Sequence, residues 1–139
     1  MLVCAESKTS AGFWVIAEPY VVLPLATEPE ALGNAVIEAL SHSLGDVPTP
    51  KDWKALAQRR LKAAGTKSEK DFQSGSRLVA IKQSSAGLTV EPHHNGGAHG
   101  EKKGFHELKE LEVVLTSNAS HDQIGTAVLE AFTKCTSAT

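Results

Sequence analysis

Apolar positions recur at helical spacing in two places: Leu32, Ala35, Val36, Ala39 and Leu40 fall at i, i+3, i+4, i+7 and i+8, and Ile124, Ala127, Val128, Ala131, Phe132 and Cys135 repeat the pattern. Before each lies a run rich in β-branched residues, "YVVLPL" and "LEVVLT", which reads as a strand. Further upstream, Ser-Ala-Gly at 10–12 and again at 85–87 separates apolar runs. Each reads as a hairpin turn in which Gly12 or Gly87 supplies positive φ. The returning strands are "FWVIAEP" and "LTVEP", each ended by a proline that cannot donate to a ladder. A shift of 92 residues superposes the later parts without a gap, matching Val21, Val22, Leu23, Gly33, Ala35, Val36, Glu38 and Ala39 with identical residues. The pattern predicts one βββα unit used twice, with an apolar face on each copy that needs the other.

Between the copies the pattern changes. "SLGDVPTP" is a turn-rich break, and Thr49 with Pro50 predicts the start of a helix whose stripe is Trp53, Leu56, Ala57, Leu61 and Ala64 and whose stop is Gly65. A short helix over "SEKDFQSG" opens on Ser68, with Asp71 three residues on, and buries Phe72. Thr27 with Glu30 and Ser120 with Gln123 have capping-box spacing at the heads of the two repeated helices. Gly33 and Gly125 fall at matching places in those helices, where glycine costs about 1 kcal/mol relative to alanine. Their retention in both copies predicts close approach of helix to strand rather than an anion site, since Glu28, Glu30 and Asp122 would repel an anion. The expected fold is α+β: a largely antiparallel sheet from the duplicated units, with helices packed on it and two extra helices between the copies. It is one domain over 1–139, divided into a first unit (1–46), a helical connector (47–75) and a second unit (76–139).

Length supports a single core built without disulfides or metal. Only Cys4 and Cys135 occur, without CxxC spacing, which predicts two buried thiols in a reducing cytoplasm and leaves a single bridge between the termini open. "MLVCAESKTS" has neither a basic n-region nor a long apolar run, so no secretory leader is expected. Charge is segregated: residues 1–46 hold one base and six acids, residues 47–78 eight bases and three acids, and the remainder five bases and seven acids. Such a split can steer a partner or serve the fold itself.

The sequence offers three candidate chemistries. "EPHHNGGAHGEKKGFHE" gathers His93, His94, His99 and His106 in a glycine-rich insertion, where neutral imidazoles can ligate a transition metal. No pair has HExxH spacing and no cysteine lies nearby, so a mobile, solvated loop with a recognition role is the preferred reading and no metal or other cofactor is expected. The basic segment 51–70 is a nucleic-acid alternative, but its bases lie on the solvent side of the Trp53 stripe without interleaved aromatics. Trp14, Trp53 and Tyr20 read as core or edge packing. No GxSxG, P-loop or GxGxxG occurs, so no catalytic residue is assigned and an enzyme is not expected.

The order "AAGTKSEKDFQSGSRLVAIKQSSAGLTVEP", a polar loop, then "LEVVLTSNASHDQIGTAVLEAFTKC" resembles the immunity proteins of bacterial contact-dependent growth inhibition (CDI) systems. Lys67, Ser68 and Phe72 match that family's helix, Glu91-Pro92 its strand end, and Val114, Leu115, Ser120, Ile124, Gly125, Ala127, Ala131 and Cys135 its closing segment. The first unit, "YVVLPLATEPEALGNAVIEALSHS", is similar to the family's N-terminal half. The link before Trp53 and the histidine-bearing loop depart from the pattern. The resemblance implies a cytoplasmic inhibitor that binds the C-terminal toxin domain of a delivered CDI effector, about one to one, with no membrane or nucleic-acid partner. Such toxins are commonly nucleases with basic grooves. Glu28, Glu30 and Asp46 of the acidic segment, with Glu101 and Glu107 around the insertion, are therefore the expected contacts.

Overall fold

A computed structural model describes residues 1–138. Strands β1 (Leu2–Lys8) and β2 (Trp14–Val22) form an antiparallel hairpin around a turn in which Gly12 has φ 91°. Helix α1 (Pro29–Ser41) follows, then an irregular strap that leads to α2 (Trp53–Ala64) and the short α3 (Glu69–Gln73). A second sheet is built around β4 (Gly87–Asn95), which pairs with β3 (Val79–Ser84) along one edge. Its other edge is shared by β5 (Phe105–Glu107) and β6 (Val113–Leu115), all antiparallel. Helix α4 (His121–Lys134) closes the chain with β7 (Thr136–Ser137), which joins β4 in parallel at His94 and Asn95.

The fold is α+β, as the period switch between strands and helices implied, but the sheet is divided into a two-stranded and a five-stranded piece. Neither expected proline stop holds. β2 runs on through Pro19, whose peptide with Glu18 is cis, because the ladder breaks register between Val3 and Ala5 and asks nothing of the missing N–H there. The first unit thus has two strands, "YVV" being the end of the second. β4 likewise continues through Pro92 to Asn95, since Pro92 sits where its neighbour changes from β6 to β5, past a 3-10 turn at Lys109–Leu111. His93 and His94 are therefore strand residues.

The core lies between one face of β4 and the two long helices: Leu32 and Val36 of α1, Leu88 and Val90 of β4, and Ile124, Val128 and Ala131 of α4. The helices cross at their first turns. A Cβ on Gly33 would overlap the carbonyl of His121, and a Cβ on Gly125 would overlap the carbonyl of Pro29. The close approach is helix to helix, not helix to strand, and it is reciprocal: the same 92-residue shift relates Gly33 to Gly125 and Pro29 to His121.

Two helix starts differ from expectation. α1 begins after Glu28 with Pro29 at its first position and no side-chain cap, so Thr27 does not close a box. α2 starts later than Thr49 predicts: Val47 bridges Thr9, residues 48–50 carry no regular structure, and it is Asp52 that caps, accepting from Ala55 N at 2.9 Å. The Ser120–Gln123 box is formed in both directions, Ser68 caps α3, and Gly65 ends α2 with φ 73°. The β1–β2 hairpin is packed from both sides: Val3 of β1 lies against the core, and α2 packs on β2.

Candidate interaction surfaces

The histidine-bearing insertion is built on β4 rather than hung from it. Alternation sends Leu88, Val90 and Pro92 toward the helices and Glu91, His93 and Asn95 to the opposite face. On that face Lys82 of β3 reaches Glu91 Oε2 at 3.2 Å and Glu107 Oε1 of β5 at 3.0 Å. Glu91 is only 5% exposed, so Lys82 neutralises a carboxylate that burial would otherwise penalise. The hydrogen bond to Glu107 and the adjacent Glu91 carboxylate push the Lys82 ammonium up, and the same Lys82–Glu107 bond holds the Glu107 carboxyl below its ordinary range.

Asn95, 3% exposed, organises the loop. Its Nδ2 donates to the carbonyls of Gln73 (2.7 Å) and Ser76 (2.9 Å), and its Oδ1 accepts from Gly97 N at 2.9 Å. Gly96 N then donates to Gly104 O and Gly104 N to Gly97 O, both under 3.0 Å, and Gly96 has no room for a Cβ beside the Lys102 carbonyl. The segment is thus an ordered turn system with its own bonds, which corrects the expectation of a mobile loop.

The four histidines do not converge. His93 Nδ1 meets the Glu91 carbonyl (3.1 Å), His94 Nδ1 the Thr136 hydroxyl (2.7 Å) and His106 Nε2 the Lys102 carbonyl (2.9 Å), while His99 is exposed at the loop tip. Among the described residues no three His, Cys, Asp or Glu side chains come together as a metal set. Both cysteines are free and half-buried rather than fully buried. Cys135 donates its thiol hydrogen to the Leu78 carbonyl (3.3 Å), and burial pushes the Cys4 thiol up.

The five acidic candidates are all exposed but are spread over four places in the fold. Glu28 and Glu30 flank the start of α1 at the helix crossing, next to the α4 turn that carries Asp122. Asp46 lies on the strap with φ 55°, Glu101 on the β4–β5 loop, and Glu107 is engaged by Lys82. The basic helices are partly consumed by the fold: Arg59 pairs with Glu18 of β2 at 3.8 Å, and Arg60 pairs with Glu69 while its guanidinium sits 5.1 Å above the Phe72 ring.

What sequence patterning misplaced is the tryptophans. Trp14 is 61% and Trp53 47% exposed, and Phe13 meets Trp53 edge to face with ring centroids 6.4 Å apart. The signal against a core role was present: Trp14 directly follows a turn, and Trp53 heads a helix whose apolar stripe is thin. Tyr20 is half-buried beneath α2, where desolvation pushes its hydroxyl up.

Among the described residues no helix is long and apolar enough to cross a membrane. The family model described as "CdiI: CDI immunity protein" matches residues 48–135, which covers the connector helices and nearly all of the second unit. Two solved structures share the fold. A protein of unknown function from Neisseria meningitidis aligns with TM-score 0.75 and 19% identity over 96% of this chain and 87% of its own. A chain of the CdiA-CT/CdiI toxin and immunity complex from Yersinia pseudotuberculosis aligns with TM-score 0.72 and 17% identity over 96% and 90%. Among curated proteins none matches.

Proposed function

The chain belongs to the CDI immunity protein family, and from that premise we propose that it binds the C-terminal toxin domain of its cognate CDI effector and neutralises it in the bacterial cytoplasm. The family match over 48–135 carries this reading. The fold shared with a chain of a toxin and immunity complex supports it. Inhibition here is occlusion and requires no turnover. One immunity chain covers one toxin domain, and the ordered β4–β5 insertion and the exposed strap offer rigid recognition elements on a packed scaffold.

The toxin proposed is a nuclease, whose substrate groove is basic. Glu28, Glu30, Asp46 and Glu101 then act as steering and contact charges, and Glu107 contributes while held by Lys82. Because these acids are spread over the fold, they speed encounter more than they anchor the complex.

The test is to express the C-terminal domain encoded directly upstream of this chain, with and without the chain. Growth arrest relieved by co-expression, with both chains eluting as one complex, supports neutralisation. Arrest that persists, or separate elution, removes it. Reversing Glu28 and Glu30 to Lys is expected to slow association by about tenfold at low salt and to leave dissociation nearly unchanged; unchanged association excludes those two residues.

A further inference from the structure

The β4–β5 insertion, 96–104, is ordered without serving the core. A connection between adjacent antiparallel strands needs about two to five residues, whereas nine lie between β4 and β5. None of them belongs to the apolar cluster between β4 and the long helices, and residues 99–103 are all exposed. The first unit has no counterpart, as β2 leads directly to α1. A cleft of about 140 Å³, with Lys70, Gln73, Gly75, Gly97 and His99 among its walls, separates the insertion from the end of α3 and the link beyond it. The insertion is thus held off α3 instead of packing flush on it.

The tie across that gap is Asn95. Its backbone is clamped on both sides, opposite Phe105 of β5 and Ser137 of β7, and its carbonyl accepts from Ala138 N at 3.0 Å. Its buried amide donates to the Gln73 and Ser76 carbonyls and its Oδ1 receives the Gly97 N–H, so one side chain fixes the foot of the insertion to the α3 side. Burying an amide is costly unless its bonds are made, and reconnecting two strands does not call for such a residue. Above the foot, Gly97 and Gly104 hold φ 87° and 92° and carry the chain around a tip that bears His99, Glu101, Lys102 and Lys103. Charges of both signs stand together there. The tip is therefore no steering element; shape and polar contacts are what it offers a partner.

We propose that Asn95 is a positioning residue for toxin recognition: it holds the insertion in one conformation before encounter, so that the exposed tip at 99–103 meets the toxin domain already ordered. The proposal rests on the neutralisation reading and adds which residue prepares the recognition element. A fixed foot raises the fraction of free chains competent to bind, and apparent affinity follows that fraction. The tip itself can vary without disturbing the core.

The experiment measures association and dissociation rates of the full chain with the upstream-encoded C-terminal domain purified from the co-expressed complex, alongside amide hydrogen exchange across 96–104. Four variants are compared with the wild type. Asn95→Ala removes the tie, and Gly97→Ala strains the same turn at φ 87° while its methyl enters open space. His99→Ala/Glu101→Ala/Lys103→Ala strips the tip, and Val128→Ala weakens the core elsewhere. Asn95→Ala and Gly97→Ala are expected to quicken exchange in 96–104 and slow association by about tenfold, with dissociation within about twofold of the wild type. The tip variant should keep wild-type exchange and dissociate about tenfold faster. Val128→Ala should lower the urea midpoint and leave both toxin rates unchanged. If Asn95→Ala fails to fold, Gly97→Ala carries the test. Exchange that does not quicken, or that quickens with association unchanged, overturns the positioning role, as does an equal slowing in Val128→Ala. A tip variant that binds and protects like the wild type means that the toxin does not use the insertion, and it overturns the proposal too. In each of these cases wild-type binding leaves neutralisation standing, whereas no binding by the wild type overturns both.

Discussion

Asn95 shows how one side chain can govern an element it does not belong to. It satisfies one backbone carbonyl at the end of α3, one in the α3–β3 link and one amide of the insertion while buried in the central strand. Asn95→Ala leaves those groups unpaired and is expected to cost about 2–3 kcal/mol in urea unfolding. Asn95→Asp should do no better, because a carboxylate cannot donate to the two carbonyls. Lys82 gives the pH counterpart. The lowered Glu107 carboxyl contributes stability that is present above the ordinary carboxylate range and lost as pH falls through its depressed pKa. The raised Lys82 ammonium contributes stability present below the ordinary lysine range and lost as pH rises through its elevated pKa. The stability difference between wild type and Lys82→Met should therefore be greatest near neutrality and shrink at both extremes, as urea midpoints across pH would show. A flat difference would mean that the Lys82–Glu107 contact is not maintained in solution. Neither role was legible in sequence, since residues 82, 91 and 107 become neighbours only through the register of three strands.

Elements were more legible than their limits. The helical period placed α1 and α4, and Ser120 with Gln123 marked the start of α4 correctly because both bonds of the box are local. Ser120→Ala should cost about 1 kcal/mol. Thr27→Ala should stay within about 0.5 kcal/mol, because α1 begins after Glu28. A paired urea series that showed equal losses would reverse the assignment of these caps. The two glycines were rightly read as contact points but against the wrong partner, since periodicity reports which face is buried and not what buries it. Gly33→Ala and Gly125→Ala remove a helix penalty of about 1 kcal/mol. Each should nevertheless destabilise the fold by about 1–3 kcal/mol, because the opposing carbonyls belong to helix backbone and cannot yield. The double change should cost less than the sum, as both act by separating one pair of helices.

At the scale of the whole molecule, the segregated charge serves two purposes. Part of it is internal, as Arg59 and Arg60 of the basic middle segment are paired with Glu18 and Glu69. The rest remains on the surface, acidic at the α1–α4 crossing and of both signs around the tryptophans, where Lys8, Lys51 and Lys54 stand among Glu6, Asp46 and Asp52. Complex formation should therefore respond to salt in its association rate far more than in its dissociation rate. Stopped-flow association at increasing ionic strength checks this, and a dissociation rate that climbs as steeply would place ion pairs at the centre of the complex.

By itself the sequence determined the α+β class, the two amphipathic core helices, the two further helices between them and the family, because each rests on local period, caps and motif order. Tertiary structure alone decided that the strands divide into two sheets, that both prolines lie inside strands, that the histidines disperse and that the tryptophans face outward. Those outcomes depend on which distant segment lies across from each residue. A proline is tolerated where its neighbour strand changes, and a tryptophan is exposed where no helix arrives to cover it; neither circumstance is written in the residues that flank it.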